Sequence, residues 1–238
     1  MTRRFAGQTA LVTGGGTGIG REIALALGRE GAAVAVAGRR REPLRAVARE
    51  IEALDARALP QEADVRDPDS VQALVEATER DLGAIDILIN NAATFASGEV
   101  AALDLAAWND VLATNLTGSF LVTRAVLPGM IRRQRGGSIV FMSSTAGKRG
   151  DARGAAYCAS KFGMMGLAHS LLYEVRRHDI RVVVVSPSSI DTGREVPDPD
   201  IVTGARPHAS DVAASVVHCL GLPARALIRE VEIWGTNP

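Results

Sequence analysis

The chain alternates short apolar runs with longer segments in which apolar residues recur every three or four positions. The run at residues 9–13 is rich in apolar and β-branched residues and predicts a buried strand, as does the run at 33–37. Between them, Ile23, Ala24 and Leu27 share one face of a helix predicted over 19–29. The alternation continues along the chain and predicts a sheet with helices on both faces.

Further strands are predicted at residues 57–59, 85–89, 138–142, 180–185 and 230–233. Helices are predicted at 42–54, from 67 onwards, at 105–134 with a split or bend near Pro128, at 155–177 and at 210–220. This order predicts an α/β fold, a doubly wound parallel sheet of about seven strands (a Rossmann fold) with right-handed crossovers. No linker divides the chain, so we expect one domain over residues 1–238 with a polar loop at about 186–208. A ligand crevice is expected at the carboxyl ends of the strands.

Composition excludes several other classes. The formal net charge is zero, which removes the electrostatic basis for binding nucleic acid or an anionic membrane surface. No apolar run approaches the roughly 20 residues of a membrane helix, and no signal-peptide core follows the first arginines, so we expect a cytoplasmic protein. Cys158 and Cys219 show no spacing typical of a disulfide framework or metal site, and the four histidines show no ligand spacing, so we expect no metal.

A cluster of glycines separates the first predicted strand from the first helix. Gly14, Gly18 and Gly20 follow the spacing TGxxxGxG, and small residues there allow a phosphate to approach the backbone closely. The free N–H groups and positive dipole end of the helix then face that anion. A tight turn alone also needs glycine, but the position between strand and helix favours nucleotide binding.

The second strand ends in three arginines instead of a carboxylate. An acidic residue there typically binds the ribose hydroxyls of NAD, whereas arginine suits the 2′-phosphate of NADP. A guanidinium group can bind phosphate through two hydrogen bonds, so Arg39 and Arg40 favour NADP(H), with NAD(H) still possible. The alternative is a solvated basic turn in an arginine-rich chain.

Several separated motifs follow in a fixed order. They are the glycine cluster, Asp64-Val65, Asn90-Asn91-Ala92, Asn115, Ser143-Ser144 and Tyr157-Cys158-Ala159-Ser160-Lys161. In this combination the chain resembles the short-chain dehydrogenase/reductase family over essentially its whole length. The resemblance implies an enzyme that moves a hydride between a nicotinamide and a carbonyl or alcohol carbon.

The resemblance also implies roles for four residues. Tyr157 is the general acid or base, Lys161 lowers its pKa and binds the nicotinamide ribose, and Ser144 polarises the carbonyl, with Ser143 the weaker candidate. Asn115 is expected to hold a water in a proton relay with Lys161. Alternatively, its side chain could have only the structural role of satisfying hydrogen bonds at a kink in a helix. Tyr157 and Lys161 are four residues apart and share one helix face. A nearby ammonium can lower a tyrosine pKa of about 10 by roughly 1–3 units.

By the same resemblance, further positions line the cofactor groove. Besides Tyr157, Lys161, Arg39 and Arg40 they are Thr13, Gly14, Gly16, Thr17, Gly18, Ile19, Gly20, Asp64, Val65, Asn91, Ala92, Pro187, Ile190 and Thr192. Two residues depart from the family pattern, since Ala93 and Ser188 stand where the family commonly has glycine. Because side chains tolerate positive φ poorly, we expect the substrate side of the crevice to differ.

The leading interpretation is an NADP(H)-dependent carbonyl reductase or alcohol dehydrogenase acting on a small molecule. One alternative is a 3-oxoacyl-carrier-protein reductase, in which Arg132, Arg133 and Arg135 would dock an acidic carrier. Another is a non-catalytic NADP-binding regulator, which the intact Ser144, Tyr157 and Lys161 argue against. The family resemblance further implies a homotetramer or dimer, built on the helices near 105–133 and 155–177.

Overall fold

Seven parallel strands form one sheet in a computed structural model that describes residues 3–192 and 206–236. The strands are β1 (Thr9–Thr13), β2 (Ala33–Gly38), β3 (Ala58–Glu62), β4 (Ile85–Asn90), β5 (Gly137–Met142), β6 (Ile180–Pro187) and β7 (Glu230–Ile233). The helices are α1 (Gly18–Arg29), α2 (Arg41–Glu52), α3 (Pro68–Asp81), α4 (Leu105–Leu112), α5 (Gly118–Arg133), α6 (Ala155–Val175) and α7 (Ala209–Leu220). A π-helical turn, Ala113–Thr117, joins α4 to α5.

The strand order β3-β2-β1-β4-β5-β6-β7 confirms the predicted doubly wound fold. Leu11 in β1 pairs with Ala35 of β2 on one side and with Leu88 of β4 on the other. The order therefore reverses between β1 and β4, and the loops after these two strands leave in opposite directions. A crevice opens between them at the carboxyl edge of the sheet, where ligands of such folds bind.

Two apolar layers cover the faces of the sheet. Ala10 and Val12 point into a cluster formed with α1, α2 and α7, whereas Leu11 points into the opposite cluster with α3, α5 and α6. Successive strand residues point to opposite faces, so a strand covered on both sides is apolar throughout. This explains the continuous apolar runs in the sequence. Among the residues described, no helix is long and apolar enough to cross a bilayer.

Most predicted elements lie within two residues of their observed bounds, but the long helix is interrupted at a different place. Pro128 lies inside a continuous α5, and the interruption is the π-helical turn centred on Asn115. The expected split at Pro128 is therefore wrong, whereas a bend there remains a prediction. The wider turn directs the Asn115 side chain inward, where it is fully buried and hydrogen-bonded. Such turns commonly occur at functional sites.

Candidate active site

The glycine turn after β1 packs directly against the chain that follows β4. Gly14 has a φ of +64°, and a Cβ there would lie 2.8 Å from the Asn91 amide nitrogen and 2.9 Å from the Ala92 Cα. A Cβ on Gly20 would overlap the Gly14 carbonyl and the Asn91 amide. Because neither position has room for a side chain, both glycines are needed for this close approach.

Thr13 and Asn91 join the two loops by hydrogen bonds. The Thr13 hydroxyl donates to the Ile89 carbonyl at 3.2 Å and accepts the N–H groups of Asn91 at 3.0 Å and Ala92 at 3.1 Å. The Asn91 amide donates to the carbonyls of Thr13 at 3.0 Å and Gly14 at 3.2 Å. These hydrogen bonds hold the glycine turn in place beside the chain that follows β4, and the cofactor contacts of Thr13, Asn91 and Ala92 remain predictions.

Helix α1 begins at this turn. Thr17 precedes the helix, and Gly18, Ile19 and Gly20 form its first turn, whose N–H groups have no acceptor within the helix. Gly18 has a φ of +57°, and a Cβ there would contact the Thr192 side chain at 3.5 Å. The first turn contains no acidic residue. The positive end of the helix faces the crevice.

The loops after β2 and β3 meet on the other side of the turn. A Cβ on Gly16 would contact Pro43 at 3.2 Å, which brings the turn against the start of α2. Arg39 and Arg40 lie between β2 and α2 with exposed side chains. The pKa of Asp64 is lowered mainly by its hydrogen bonds with Arg66 and also by the charge of Arg39. Arg39 and Asp64 therefore lie near each other, where the sequence places the adenosine end of a dinucleotide.

Val65 is held differently from its neighbour Asp64. It is buried, and a Cβ on Gly118 would lie 2.6 Å from its Cγ2 atom, so Val65 packs against the start of α5. Asp64 is half-buried, and Arg66 joins its carboxylate to that of Asp110 in α4. The expected adenine contacts of Asp64 and Val65 remain predictions.

On the opposite side of the crevice, Ser144, Tyr157 and Lys161 come together. Ser144 starts the 3₁₀ turn Thr145–Gly147 after β5, and its hydroxyl accepts the Ala146 N–H at 3.1 Å. The same hydroxyl lies close enough to the Tyr157 phenol to lower the pKa of that phenol. Lys161 lies one turn further along α6, with its ammonium 5.5 Å from the centre of the Tyr157 ring. This grouping supplies a hydroxyl, a phenol and a cation at one point of the crevice.

Ser143 is turned away from this group. Its side chain is buried, and a Cβ on Gly147 would lie 2.6 Å from its hydroxyl oxygen, so it points into the 3₁₀ turn. Its backbone N–H donates to the Val185 carbonyl at 2.8 Å, which continues the sheet. Of the two serines, Ser144 is therefore the one that reaches Tyr157.

Burial dominates the electrostatics of this group. The Lys161 side chain is almost completely buried and its ammonium donates to the Met142 carbonyl at 2.6 Å, yet desolvation lowers its pKa from 10.5 to about 7. Desolvation raises the pKa of Tyr157, and the hydrogen bond with Ser144 offsets part of that increase. The lowering of the Tyr157 pKa expected from the sequence is not found, because desolvation of the phenol outweighs the effect of Ser144.

Asn115 connects two walls of the site. Its side-chain oxygen accepts the Thr94 N–H at 2.8 Å, and its amide donates to the Thr94 carbonyl and to the Ser160 hydroxyl, both at 3.0 Å. Ser160 in turn donates to the Tyr157 carbonyl at 2.7 Å. The described contacts of the Asn115 side chain thus fix the loop after β4 and the start of α6. A water relay through Asn115 remains a prediction.

Phe95 is a site residue that the sequence did not single out. Its ring meets the Tyr157 ring edge-on, at 5.3 Å between centroids and an interplanar angle of 69°. The Phe95 side chain is 60% exposed. Its loop is nevertheless held on both sides, because Asn115 hydrogen-bonds Thr94 and the Gly98 N–H donates to the Arg153 carbonyl at 2.9 Å. The only signal in the sequence is a large aromatic residue close behind Asn90-Asn91-Ala92.

The segment after β6 closes the crevice near α1. Pro187 ends β6, Ile190 packs against the α1–α7 layer, and Thr192 lies beside Gly18. A cavity of about 360 Å³ lies there, lined by Gly18, Arg21, Glu22, Asp191, Thr192, His208, Ala209 and Ser210. The predicted loop at 186–208 lies partly outside the described residues, at 193–205.

The two departures from the family pattern are accommodated without strain. Neither Ala93 nor Ser188 has a positive φ, and Ala93 is exposed. The Ser188 N–H donates to the Ile233 carbonyl at 2.8 Å and so extends the pairing of β6 with β7. The backbone at these two positions is therefore free of the strain that a positive φ would cause, and a difference on the substrate side of the crevice remains a prediction.

The sheet order, the glycine turn and the Ser144–Tyr157–Lys161 group define the class of protein, an α/β oxidoreductase of Rossmann type. The family model for short chain dehydrogenase matches residues 8–199. The chain belongs to the short-chain dehydrogenase/reductase family.

Named relatives fall within the same family. The chain is 40% identical over 189 residues to a sorbitol dehydrogenase of Cereibacter sphaeroides, covering 79% of this chain and 72% of the relative. It is 35% identical over 189 residues to a 3-oxoacyl-acyl-carrier-protein reductase of Thermotoga maritima, covering 79% of this chain and 76% of the relative.

Two similar solved structures contain nucleotides. A metagenomic short-chain oxidoreductase in complex with NADP is 35% identical, with a TM-score of 0.86 and coverage of 98% of this chain and 99% of that one. An actinorhodin polyketide ketoreductase with NADPH is 34% identical, with a TM-score of 0.89 and coverage of 99% and 98%.

Proposed function

We propose that the protein is an NADP(H)-dependent carbonyl reductase that converts a ketone or aldehyde to an alcohol, or catalyses the reverse oxidation. The observation that carries the proposal is the meeting of Ser144, Tyr157 and Lys161 on one side of a crevice whose other side is a glycine turn without room for side chains. A hydroxyl, a phenol and a cation are the groups that carbonyl reduction needs beside a bound nicotinamide.

The crevice fits a dinucleotide in its shape and charge. The pyrophosphate would lie at the first turn of α1, whose N–H groups have no acceptor within the helix. Arg39 is exposed near Asp64, and the adjacent Arg40 is also exposed. Both arginines would bind the 2′-phosphate of NADP, which is the basis for preferring NADP(H) over NAD(H). The NADP and NADPH in the two solved relatives support this choice.

Each side chain then has a distinct part in the reaction. When bound, the nicotinamide supplies the hydride for reduction and accepts it in the reverse direction. Ser144 donates a hydrogen bond to the carbonyl oxygen and stabilises the charge that develops there. Tyr157 transfers its phenolic proton to that oxygen.

Lys161 supports the proton transfer. Its pKa of about 7 allows it to hold or release a proton near neutral pH, one helical turn from the phenol. A proton lost from Tyr157 can then be replaced through Lys161, and Asn115 is the residue proposed to support a water on that route. This assignment replaces the simple lowering of the Tyr157 pKa that the sequence suggested.

A second candidate is reduction of a 3-oxoacyl group on a carrier protein, which the Thermotoga maritima relative favours. The structure supports a docking cluster of Arg132, Arg133 and Arg135 less than the sequence does, because one of the three arginines is engaged within the protein. Arg133 donates to the Asp86 carboxylate at 2.8 Å and to the Ile85 carbonyl, so it is held against the sheet. Only Arg132 and Arg135 of that cluster remain candidates for contact with an acidic carrier.

The decisive experiment follows NADPH oxidation over a substrate panel. We expect turnover with at least one of acetophenone, cyclohexanone, ethyl acetoacetate, benzaldehyde and acetoacetyl-coenzyme A, and slower turnover with NADH than with NADPH. Activity on acetoacetyl-coenzyme A alone would select the second candidate. Binding of NADPH without turnover on a panel extended to quinones and aliphatic aldehydes would refute the proposed activity and favour a regulator.

The Tyr157→Phe variant tests the proposed acid. Removing the hydroxyl should lower kcat by about 10²-fold or more, because general acid catalysis contributes that much, while NADPH affinity stays within about two-fold. Fluorescence titration with NADPH measures the affinity and NADPH oxidation measures kcat. Unchanged turnover in this variant would remove Tyr157 from the mechanism.

We also propose one domain over residues 1–238 that assembles as a homotetramer or dimer. Helices α5 and α6 leave large side chains exposed, namely Phe120, Phe162 and Tyr173. Exposed apolar groups on neighbouring helices are typical of an interface between subunits. Light scattering on the purified protein measures the assembly, and a monomer would contradict the proposal.

A further inference from the structure

The turn that carries Ser144 is tied to the edge strand of the sheet. Lys148 directly follows the 3₁₀ turn Thr145–Gly147, and its ammonium forms ion pairs with both Glu230 and Glu232 of β7. These carboxylates are two residues apart and so share one face of the strand. One lysine therefore bridges two carboxylates that come from the far end of the chain.

A second contact strengthens the same link. The Arg149 guanidinium lies over the Trp234 ring, 5.0 Å from its centre, and the indole N–H of Trp234 donates to Glu232 at 3.0 Å. We call these five side chains the turn clamp: Lys148, Arg149, Glu230, Glu232 and Trp234. Both cations of the clamp come from the end of the turn, and its other three members come from β7 or the residue after it.

Very little chain separates the clamp from the Ser144 hydroxyl. The Gly147 N–H donates to the Ser144 carbonyl at 2.9 Å, and the Lys148 N–H donates to the Thr145 carbonyl at 3.0 Å. The Ala146 N–H donates to the Ser144 hydroxyl oxygen at 3.1 Å. Because these bonds close the turn tightly, a displacement of Lys148 displaces the hydroxyl as well.

We propose that the turn clamp holds the Ser144 hydroxyl at the Tyr157 phenol, and that Lys148 is a positioning residue for the reaction. The kinetic part of this inference rests on the proposed function, whereas the structural part does not. Lys148 touches neither Tyr157 nor the crevice in the contacts described above, and it acts only through the turn.

The clamp is suited to positioning more than to stability. The Lys148 and Glu232 side chains are 32% and 37% exposed, and ion pairs of this exposure contribute little to folding. Hydrogen-bond strength, in contrast, depends steeply on distance and angle. Loss of the clamp should therefore change the Ser144–Tyr157 hydrogen bond while the melting temperature moves by no more than about 4 °C.

The first test is spectroscopic and needs no substrate. The chain has only two tyrosines, so ¹³Cζ-tyrosine labelling gives two resonances, and Tyr173→Phe assigns the one from Tyr157. At pH 7 we expect Lys148→Met to move the Tyr157 resonance toward its position in Ser144→Ala, and Lys148→Arg to leave it near the wild-type position. In the Ser144→Ala background, Lys148→Met should cause no further change.

Matched variants distinguish loss of the turn clamp from the unspecific effect of removing any surface ion pair. Arg45→Met removes an exposed ion pair with Glu42 on α2, across the crevice from Ser144, and should leave the Tyr157 resonance unchanged. Glu232→Gln weakens the clamp from the strand side and should reproduce the effect of Lys148→Met, which also covers the case in which that variant folds poorly. An unmoved Tyr157 resonance in both clamp variants would overturn the proposal.

The kinetic test uses the ketone of the panel that is reduced fastest. We expect Lys148→Met to lower kcat about ten-fold with unchanged NADPH affinity, as for a misplaced catalytic group, and to have no effect on kcat in the Ser144→Ala background. The same fold-change in both backgrounds would show that Lys148 does not act through Ser144. If no carbonyl is reduced, the proposed function fails, and the resonance data still decide whether the clamp positions Ser144.

Discussion

Lys161 should destabilise the folded protein, so its replacement by methionine is expected to increase stability while it abolishes activity. The side chain is almost completely buried, and burial lowers its pKa from 10.5 to about 7. The charged form is thus much less favourable in the folded state than in the unfolded chain. Methionine has a similar length and carries no charge, so Lys161→Met removes that cost.

The magnitude follows from the displacement of the pKa. Between pH 7 and 10.5 the unfolded chain binds a proton that the folded protein lacks, so the Lys161 contribution to stability rises with pH. Below pH 7 the cost is complete and amounts to about 5 kcal/mol at 1.36 kcal/mol for each pKa unit. The variant also loses the hydrogen bond to the Met142 carbonyl, which costs about 1–3 kcal/mol. We therefore expect Lys161→Met to be about 2–4 kcal/mol more stable at pH 6.

Thermal and urea unfolding of the protein without added nucleotide measure this effect. For a domain of this size the gain corresponds to roughly 4–16 °C in melting temperature at pH 6, and it should shrink steadily toward pH 10. Tyr157→Phe is the matched control, because the Tyr157 phenol is neutral over this range and its removal should give no pH-dependent gain. A variant less stable than the wild type at pH 6, or a gain that grows with pH, would refute the assignment of a lowered Lys161 pKa.

Three further changes test other parts of the site. Replacing Arg39 and Arg40 by alanine should weaken NADPH binding at least ten-fold and NADH binding by less than two-fold, because only NADPH loses charge-assisted contacts to its 2′-phosphate. Equal losses of affinity for the two nucleotides in fluorescence titrations would contradict the preference for NADP(H). Gly20→Ala should lower the free energy of unfolding by about 2 kcal/mol or more, because its Cβ meets the Gly14 carbonyl, whereas Gly166→Ala, where a Cβ meets nothing within 4 Å, should stabilise α6. Phe95→Ala should raise KM for acetophenone about ten-fold with little change for acetone, because only the aryl ketone loses a ring contact of about 1.4 kcal/mol. A uniform change of KM across ketones would argue against contact between Phe95 and the substrate.

The strands and the order of the helices could be predicted because both faces of the sheet are covered. Strands such as β4 and β6 are apolar along nearly their whole length, so their positions are evident without knowledge of the neighbours. The edge strand β3 is predicted at 57–59 but observed at Ala58–Glu62, because its sequence ALPQE is half exposed and contains Pro60, which obscures the apolar pattern of a strand. Its bounds come from pairing with β2, which no local pattern records.

The same distinction applies within the site. Tyr157 and Lys161 were predicted together because four residues along a helix place two side chains on one face. Asn115 and Thr94 meet across 21 residues, and Lys148 and Glu232 across 84, so only the folded backbone brings them into contact. The pKa of Tyr157 was misjudged for a related reason, since spacing shows which charge is near but gives no measure of desolvation.

The groups that stabilise the fold and the groups that perform the chemistry lie in different parts of this molecule. The apolar layers on both faces of the sheet contain the strand interiors and nearly all the large buried side chains, whereas the polar site residues gather where the strands end. Lys161 is the exception, an ionisable side chain buried on α6 at a cost that the apolar layers must offset. Because the apolar layers supply the stability, a substitution within the site can increase stability and remove function at the same time. This relation is expected when a binding crevice is built on a rigid scaffold.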